Sequence, residues 1–233
     1  MKTCISIKRG IISLALAIAA AGICFGNPTT YSGSLSVADG GLTAHGEWNN
    51  PCTTLSWTVD DSTTPGKWHY SYTLTVPVKD ISHMIIEASY GDNPFTRSNL
   101  FSPSSSISGW IDSIEIQNYG PGGSTPYMPE DMWGIKFDAA IDATYVTVCF
   151  DSDRMPVWGD FYSKDGFSMC NDEWSALYNT GFTIGDYDPV AAAANGSLQN
   201  HLLVPDTIPA PGAILLVCIG TTLTGALRRR GMI

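Results

Sequence analysis

The stretch "WHYSYTLTV" (residues 68–76) sets Trp68, Tyr70, Tyr72, Leu74 and Val76 against His69, Ser71, Thr73 and Thr75. Apolar and polar side chains alternate with a strict period of two. That is the pattern of a strand with one face in a core and the other in water. The neighbouring stretches repeat it. "TLSWTV" (residues 54–59) sets Leu55, Trp57 and Val59 against Thr54, Ser56 and Thr58, and "YVTVCF" (residues 145–150) inserts Val146, Val148 and Phe150. "MWGIKFDAAI" (residues 132–141) places Trp133, Ile135, Phe137, Ala139 and Ile141 together. Turn-forming clusters separate these runs: "NNPC", "DDSTTPGK", "YGDNP", "YGPGGSTP" and "SKDG". Short alternating strands with such punctuation predict an all-β body, an antiparallel β-sandwich of jelly-roll or immunoglobulin-like form, over residues 27–185.

The two ends read differently. Lys2, Lys8 and Arg9 precede an apolar run from Ile11 to Ile23 and then small residues. This is the make-up of a secretory signal peptide, residues 1–26, expected to be helical. "DPVAAAANGSLQNHLLVPDT" is poor in aromatics and is read as a linker over 186–207. Beyond it, residues 213–227 carry no charge. As a helix they would be about 22 Å long, short of a hydrocarbon core of about 30 Å. Arg228, Arg229 and Arg230 follow, placed as the positive-inside rule asks of a segment whose body lies outside the cytoplasm. Their long stems can snorkel and lengthen the effective span.

Charge is distributed as unevenly as hydropathy. Six of the 12 Lys and Arg lie in the first ten or last six residues, while all 22 acids lie between Asp39 and Asp206. A body with so few bases repels phosphate backbones, which argues against nucleic-acid binding.

Residues Val204 to Ile208, the motif Pro209-Ala210-Pro211-Gly212, the apolar run and the arginine cluster together resemble the C-terminal sorting signal of PEP-CTERM exported proteins. In that class a Pro-Glu-Pro-like motif, a transmembrane stretch and a basic tip are recognised by exosortases of Gram-negative bacteria that make exopolysaccharide. Here alanine stands where the motif's central acid would be. "SDRMPVWGDFYSKDG", "WSALYNTGF" and "YSYTLTVPVKDISHMIIEAS" are similar to segments of exported PEP-CTERM proteins that carry a β-sandwich body of unassigned function. The resemblance implies an exosortase-type processing partner. It also implies a precursor anchored in the inner membrane by residues 208–233, then display at the cell surface or in the extracellular matrix.

Within the body, few residues point to chemistry. Cys52, Cys149 and Cys170 remain once the ends are set aside, an odd number for an oxidising compartment. A Cys149–Cys170 bridge would close a loop of about twenty residues, worth about 3 kcal/mol on the chain-entropy model, and Cys52 could replace either partner. Asp151 and Asp153 head a run of loop acids that could offer oxygen ligands to Ca²⁺, but "DSDRMP" does not fit an EF-hand loop, and solvated turn acids are the favoured reading. No metal or cofactor is therefore expected. A glycosidase would need two carboxylates over a cleft, with Glu87 and Glu115 as candidates; neither a GxSxG elbow nor a phosphate loop is present. Seven tryptophans and ten tyrosines are many for this length. Trp158 and Tyr162 alternate on the face opposite Val157 and Phe161, and they are the candidates for stacking on sugar rings. The expectation is a non-enzymatic surface or matrix protein with a structural role. The alternative is an exopolysaccharide-binding module, and a glycoside-active enzyme comes third.

Overall fold

A computed structural model describes residues 28–91, 93–169, 172–182 and 189–209, the last four by their backbone alone. Among the described residues, thirteen strands follow one another. They are β1 (Thr30–Ser36), β2 (Leu42–His45), β3 (Thr54–Asp60), β4 (Trp68–Thr75), β5 (His83–Glu87) and β6 (Leu100–Ser105). After them come β7 (Ile111–Tyr119), β8 (Met132–Ala139), β9 (Tyr145–Ser152), β10 (Arg154–Gly159), β11 (Phe161–Ser168), β12 (Glu173–Asn179) and β13 (Leu202–Pro209). Two 3₁₀ turns, Gly46–Trp48 and Arg97–Asn99, are the only helical elements among the described residues.

The strands form a five-stranded sheet in the order β1-β3-β4-β9-β6, a six-stranded sheet in the order β2-β12-β11-β5-β8-β7, and the pair β10-β13. Every pairing is antiparallel. β4 lies at the centre of the first sheet because its alternation is complete. Trp68, Tyr70, Tyr72 and Leu74 are all buried, and the residues between them are half-exposed. The register places Trp57 beside Tyr72 and Tyr70 beside Phe150, so the rings of three strands meet on one face. Tyr70 and Phe150 stack at 5.2 Å, and Phe150 reaches Phe137 of the six-stranded sheet at 5.8 Å. That contact joins the two sheets across one core, in a sandwich-like arrangement. The tyrosine hydroxyls do not go unpaired. Tyr70 donates to the Arg154 carbonyl at 2.9 Å and Tyr72 to the Leu203 carbonyl at 2.7 Å, tying the β10-β13 pair to the core.

At β5, β11 and β12 the six-stranded sheet is buried on both faces, whereas β7 turns Ser113, Glu115 and Gln117 outward. In β5, Met84 and Ile86 point into the main core, while His83 and Ile85 are buried on the other side. What covers that outer side is the connection between β7 and β8. Met128 is buried there, Tyr162 donates its hydroxyl to the Pro126 carbonyl at 2.8 Å, and Tyr127 stacks on His45 with ring centroids 4.0 Å apart. A strand buried on both faces loses its alternation, which is why "HMIIE" shows no period of two.

Two expectations change here. Residues 202–207, expected as linker, and Ile208 and Pro209, expected as the start of the sorting signal, form β13. The apolar run Leu202-Leu203-Val204 is buried and pairs with β10, so the folded body extends past residue 185. Pro205 is tolerated because the sheet uses its carbonyl, which accepts from the Ser89 amide at 3.2 Å. Ile141 falls beyond the end of β8 and is exposed instead of joining Ile135 and Phe137. The expected signal segment 1–26, Ala210-Pro211-Gly212, the apolar run 213–227 and Arg228, Arg229 and Arg230 lie outside the described residues. Among the described residues, no helix is long and apolar enough to cross a membrane.

Candidate functional site

A groove of about 360 Å³ opens where β5 ends and β8 begins, beside the β10-β13 pair. That volume lies within the range of small-molecule sites. Its floor is apolar, made by Met132, Val157 and Val204. Its polar and aromatic wall comes from Glu87, Ser89, Tyr90, Asn118, Asp131 and Trp133.

Backbone anchors hold this wall. The Glu87 amide donates to the Asp160 carbonyl at 3.0 Å and the Ala88 amide to the Trp133 carbonyl at 2.9 Å. The loop after β5 closes on itself through Phe95 N–H to Ser89 C=O at 2.8 Å, with the Phe95 ring fully buried. The Trp133 indole N–H donates to the Phe95 carbonyl at 3.1 Å, which fixes the plane of its ring. Tyr90 lies against that ring at 5.2 Å and remains 70% exposed. An aromatic side chain that exposed normally costs hydrophobic stabilisation, so a pair of rings fixed at the mouth of a cavity is an informative exception.

The carboxylates are positioned in different ways. Glu87 Oε2 accepts from the Asp160 amide at 2.7 Å. It occupies space that only a glycine at 159 leaves open: a Cβ there would lie 2.6 Å from Glu87 Oε2 and would also collide with Val204. Behind it, Asp160 Oδ1 accepts from Asn179 Nδ2 at 2.6 Å and lies 3.5 Å from His201 Nε2. Asn179 and His201 are buried, so this polar network fixes Asp160 and, through its amide, Glu87. Asp131 is exposed and accepts from Asn118 Nδ2 at 3.3 Å. The Ser89 hydroxyl oxygen is buried and has no hydrogen-bond partner among the described residues.

No family model, curated protein or solved structure matches the chain.

The residues expected to stack on sugars do not form this site. Trp158 is 2% exposed and donates its indole N–H to the Ala192 carbonyl, and Tyr162 is fully buried under Pro126. A ring covered on both faces has none left for a pyranose. Trp158 belongs to the main core and Tyr162 to the cluster on the outer side of the six-stranded sheet. The alternation around Phe161 misled because Asp160 divides the segment between β10 and β11, strands of different sheets in which Trp158, Phe161 and Tyr162 are all buried.

The candidate Ca²⁺ ligands are occupied by protein. Asp151 is buried and accepts from His69 Nδ1 at 2.7 Å and Thr64 Oγ1 at 2.9 Å, while Asp153 accepts from Asn99 Nδ2 at 3.0 Å. No group of three or more metal-ligating side chains forms among the described residues. Cys149 carries a free thiol on the outer face of the five-stranded sheet and donates to Ser71 Oγ at 3.4 Å. Cys170 lies outside the described residues. Of the two weighed glutamates, Glu87 enters the groove, whereas Glu115 lies 3.9 Å from Lys136 on the sheet surface.

Tyr90 and Asp131 were not singled out by sequence. One signal was available: "YGDNP" places a tyrosine at the head of a turn, where a ring has no core to enter.

Proposed function

We propose that this protein is an exported β-sandwich, of jelly-roll or immunoglobulin-like form, that binds carbohydrate at the cell surface or in the extracellular matrix. One observation carries the binding reading: the Tyr90–Trp133 ring pair stands at the mouth of a groove whose wall offers carboxylate, amide and hydroxyl groups. Aromatic faces accept the apolar faces of pyranose rings, and such polar groups pair with sugar hydroxyls. The groove acts as a binding site and not as a catalytic one. Glu87 is held by a backbone amide as a fixed acceptor, so it serves to orient a ligand.

The address rests on residues 1–26 and on the tail. Pro209-Ala210-Pro211-Gly212, the membrane segment 213–227 and the Arg228–Arg230 tip make an exosortase-type sorting signal. β13 supports this division, since Leu202 to Val204 fill the core and a cut that spares the fold must fall beyond them. Mass spectrometry of the surface-exposed protein should find a C-terminus near residues 209–212. An intact arginine-rich end would mean a permanent tail anchor instead.

Retention of the full chain on the producer's own polysaccharide tests the binding reading. We expect retention, its loss in Tyr90→Ala, and no release of reducing ends. Equal behaviour of Tyr90→Ala and wild type would leave a structural role in the matrix. Release of reducing ends that Glu87→Gln abolishes would make the protein a glycoside-active enzyme.

A further inference from the structure

The groove is charged as well as aromatic. Glu87 and Asp131 both line it, and none of its described lining residues is Lys, Arg or His. Asp131 has no cationic partner among the described residues; its contact is the neutral Asn118 amide. An aromatic ring presents a negative face, so Tyr90 and Trp133 add to the same sign of potential. Every group that could discriminate by charge therefore favours a cation and opposes an anion. The buried Ser89 hydroxyl oxygen supplies a neutral group without a partner, suited to a ligand hydroxyl.

Resting on the carbohydrate-binding reading, we propose that the groove selects amine-bearing sugars, in their protonated form, from a polysaccharide. The ammonium group sits against the Asp131 carboxylate and the Tyr90 ring. The remaining hydroxyls meet Ser89 and Glu87, and the apolar face of the sugar lies on Trp133. Uronic acids and other anionic sugars are excluded by the same charges.

Calorimetric titration of the full chain in detergent at pH 5.5 tests this with three probes of equal length: a glucosamine oligomer, its N-acetylated form and a neutral glucose oligomer. We expect the glucosamine oligomer to bind at least about tenfold more tightly than either, the effect of about one charge-assisted contact. In Asp131→Asn that advantage should disappear while affinity for the neutral oligomer stays the same. Tyr90→Ala should weaken all three. Both positions are exposed, so unchanged melting temperatures should accompany the binding changes. Equal binding of the three oligomers would overturn the amine preference and leave the carbohydrate reading standing. An advantage that survives in Asp131→Asn would overturn the placement of the ammonium group against Asp131. Binding of none would overturn both.

Discussion

The two large sheets share one core but treat their outer faces in opposite ways. The five-stranded sheet turns Ser56, Ser71, Thr73 and Thr147 toward water, with Thr73 and Thr147 joined hydroxyl to hydroxyl at 2.8 Å. The six-stranded sheet buries Ile85, Tyr162 and Ala176 beneath the β7–β8 connection. The first sheet is a wall with one use. The second is packed on both sides at β5, β11 and β12, and the loop that leaves β5 and the one that enters β8 make the groove. A strand buried on both faces gives the β5 loop a rigid base, which a binding site needs and a half-wet strand supplies less well.

The largest effect that could break this comparison lies in the shared core. Phe150→Ala removes the ring that touches Tyr70, Tyr72 and Phe137 together, and it should cost about 3–5 kcal/mol in urea unfolding. If the outer cluster is a second core, Met128→Ala should cost about 2–3 kcal/mol by the same measurement, although Met128 lies in a connection and not in a strand. A loss below about 0.5 kcal/mol would reduce that connection to a loose cover.

Acid should act on the doubly buried β5 through His83. Burial, aided by Lys136 and Lys164, lowers its pKa from 6.5 to about 3. The unfolded chain therefore binds the extra proton between those values and the folded chain does not. Stability is full above about pH 6.5 and falls as pH drops toward 3, by about 1.4 kcal/mol per unit from this group. Unfolding curves from pH 7 to 5 should show that slope, and His83→Gln should flatten it. At the small end, Cys149→Ser on the wet face of the five-stranded sheet should change stability by less than about 0.5 kcal/mol.

The same contrast explains what could be read from the sequence. β3, β4 and β9 have one wet face, so Trp57, Tyr72 and Val148 announce themselves by alternation. β5 and the first half of β13, Leu202 to Pro205, have none, so "HMIIE" and "LLVP" carry burial without period, and "LLVP" reads as linker. The groove was less legible still. Tyr90, Asp131 and Trp133 come from a turn, a strand lead-in and a strand, and only the fold brings them to one opening. Trp158 looked more available than Trp133 in sequence because nothing local records that Ala192, 34 residues away, receives its indole N–H.

The central claim is that ligand binds where β5 ends and β8 begins and not on the polar outer face of the five-stranded sheet. Hydrogen exchange of the full chain, with and without the producer's polysaccharide, tests it directly. The account predicts new protection in the segments around Ala88 to Phe95 and Asp131 to Gly134, absent in Tyr90→Ala. Protection confined to β4 and β9, or protection that Tyr90→Ala leaves unchanged, would contradict it.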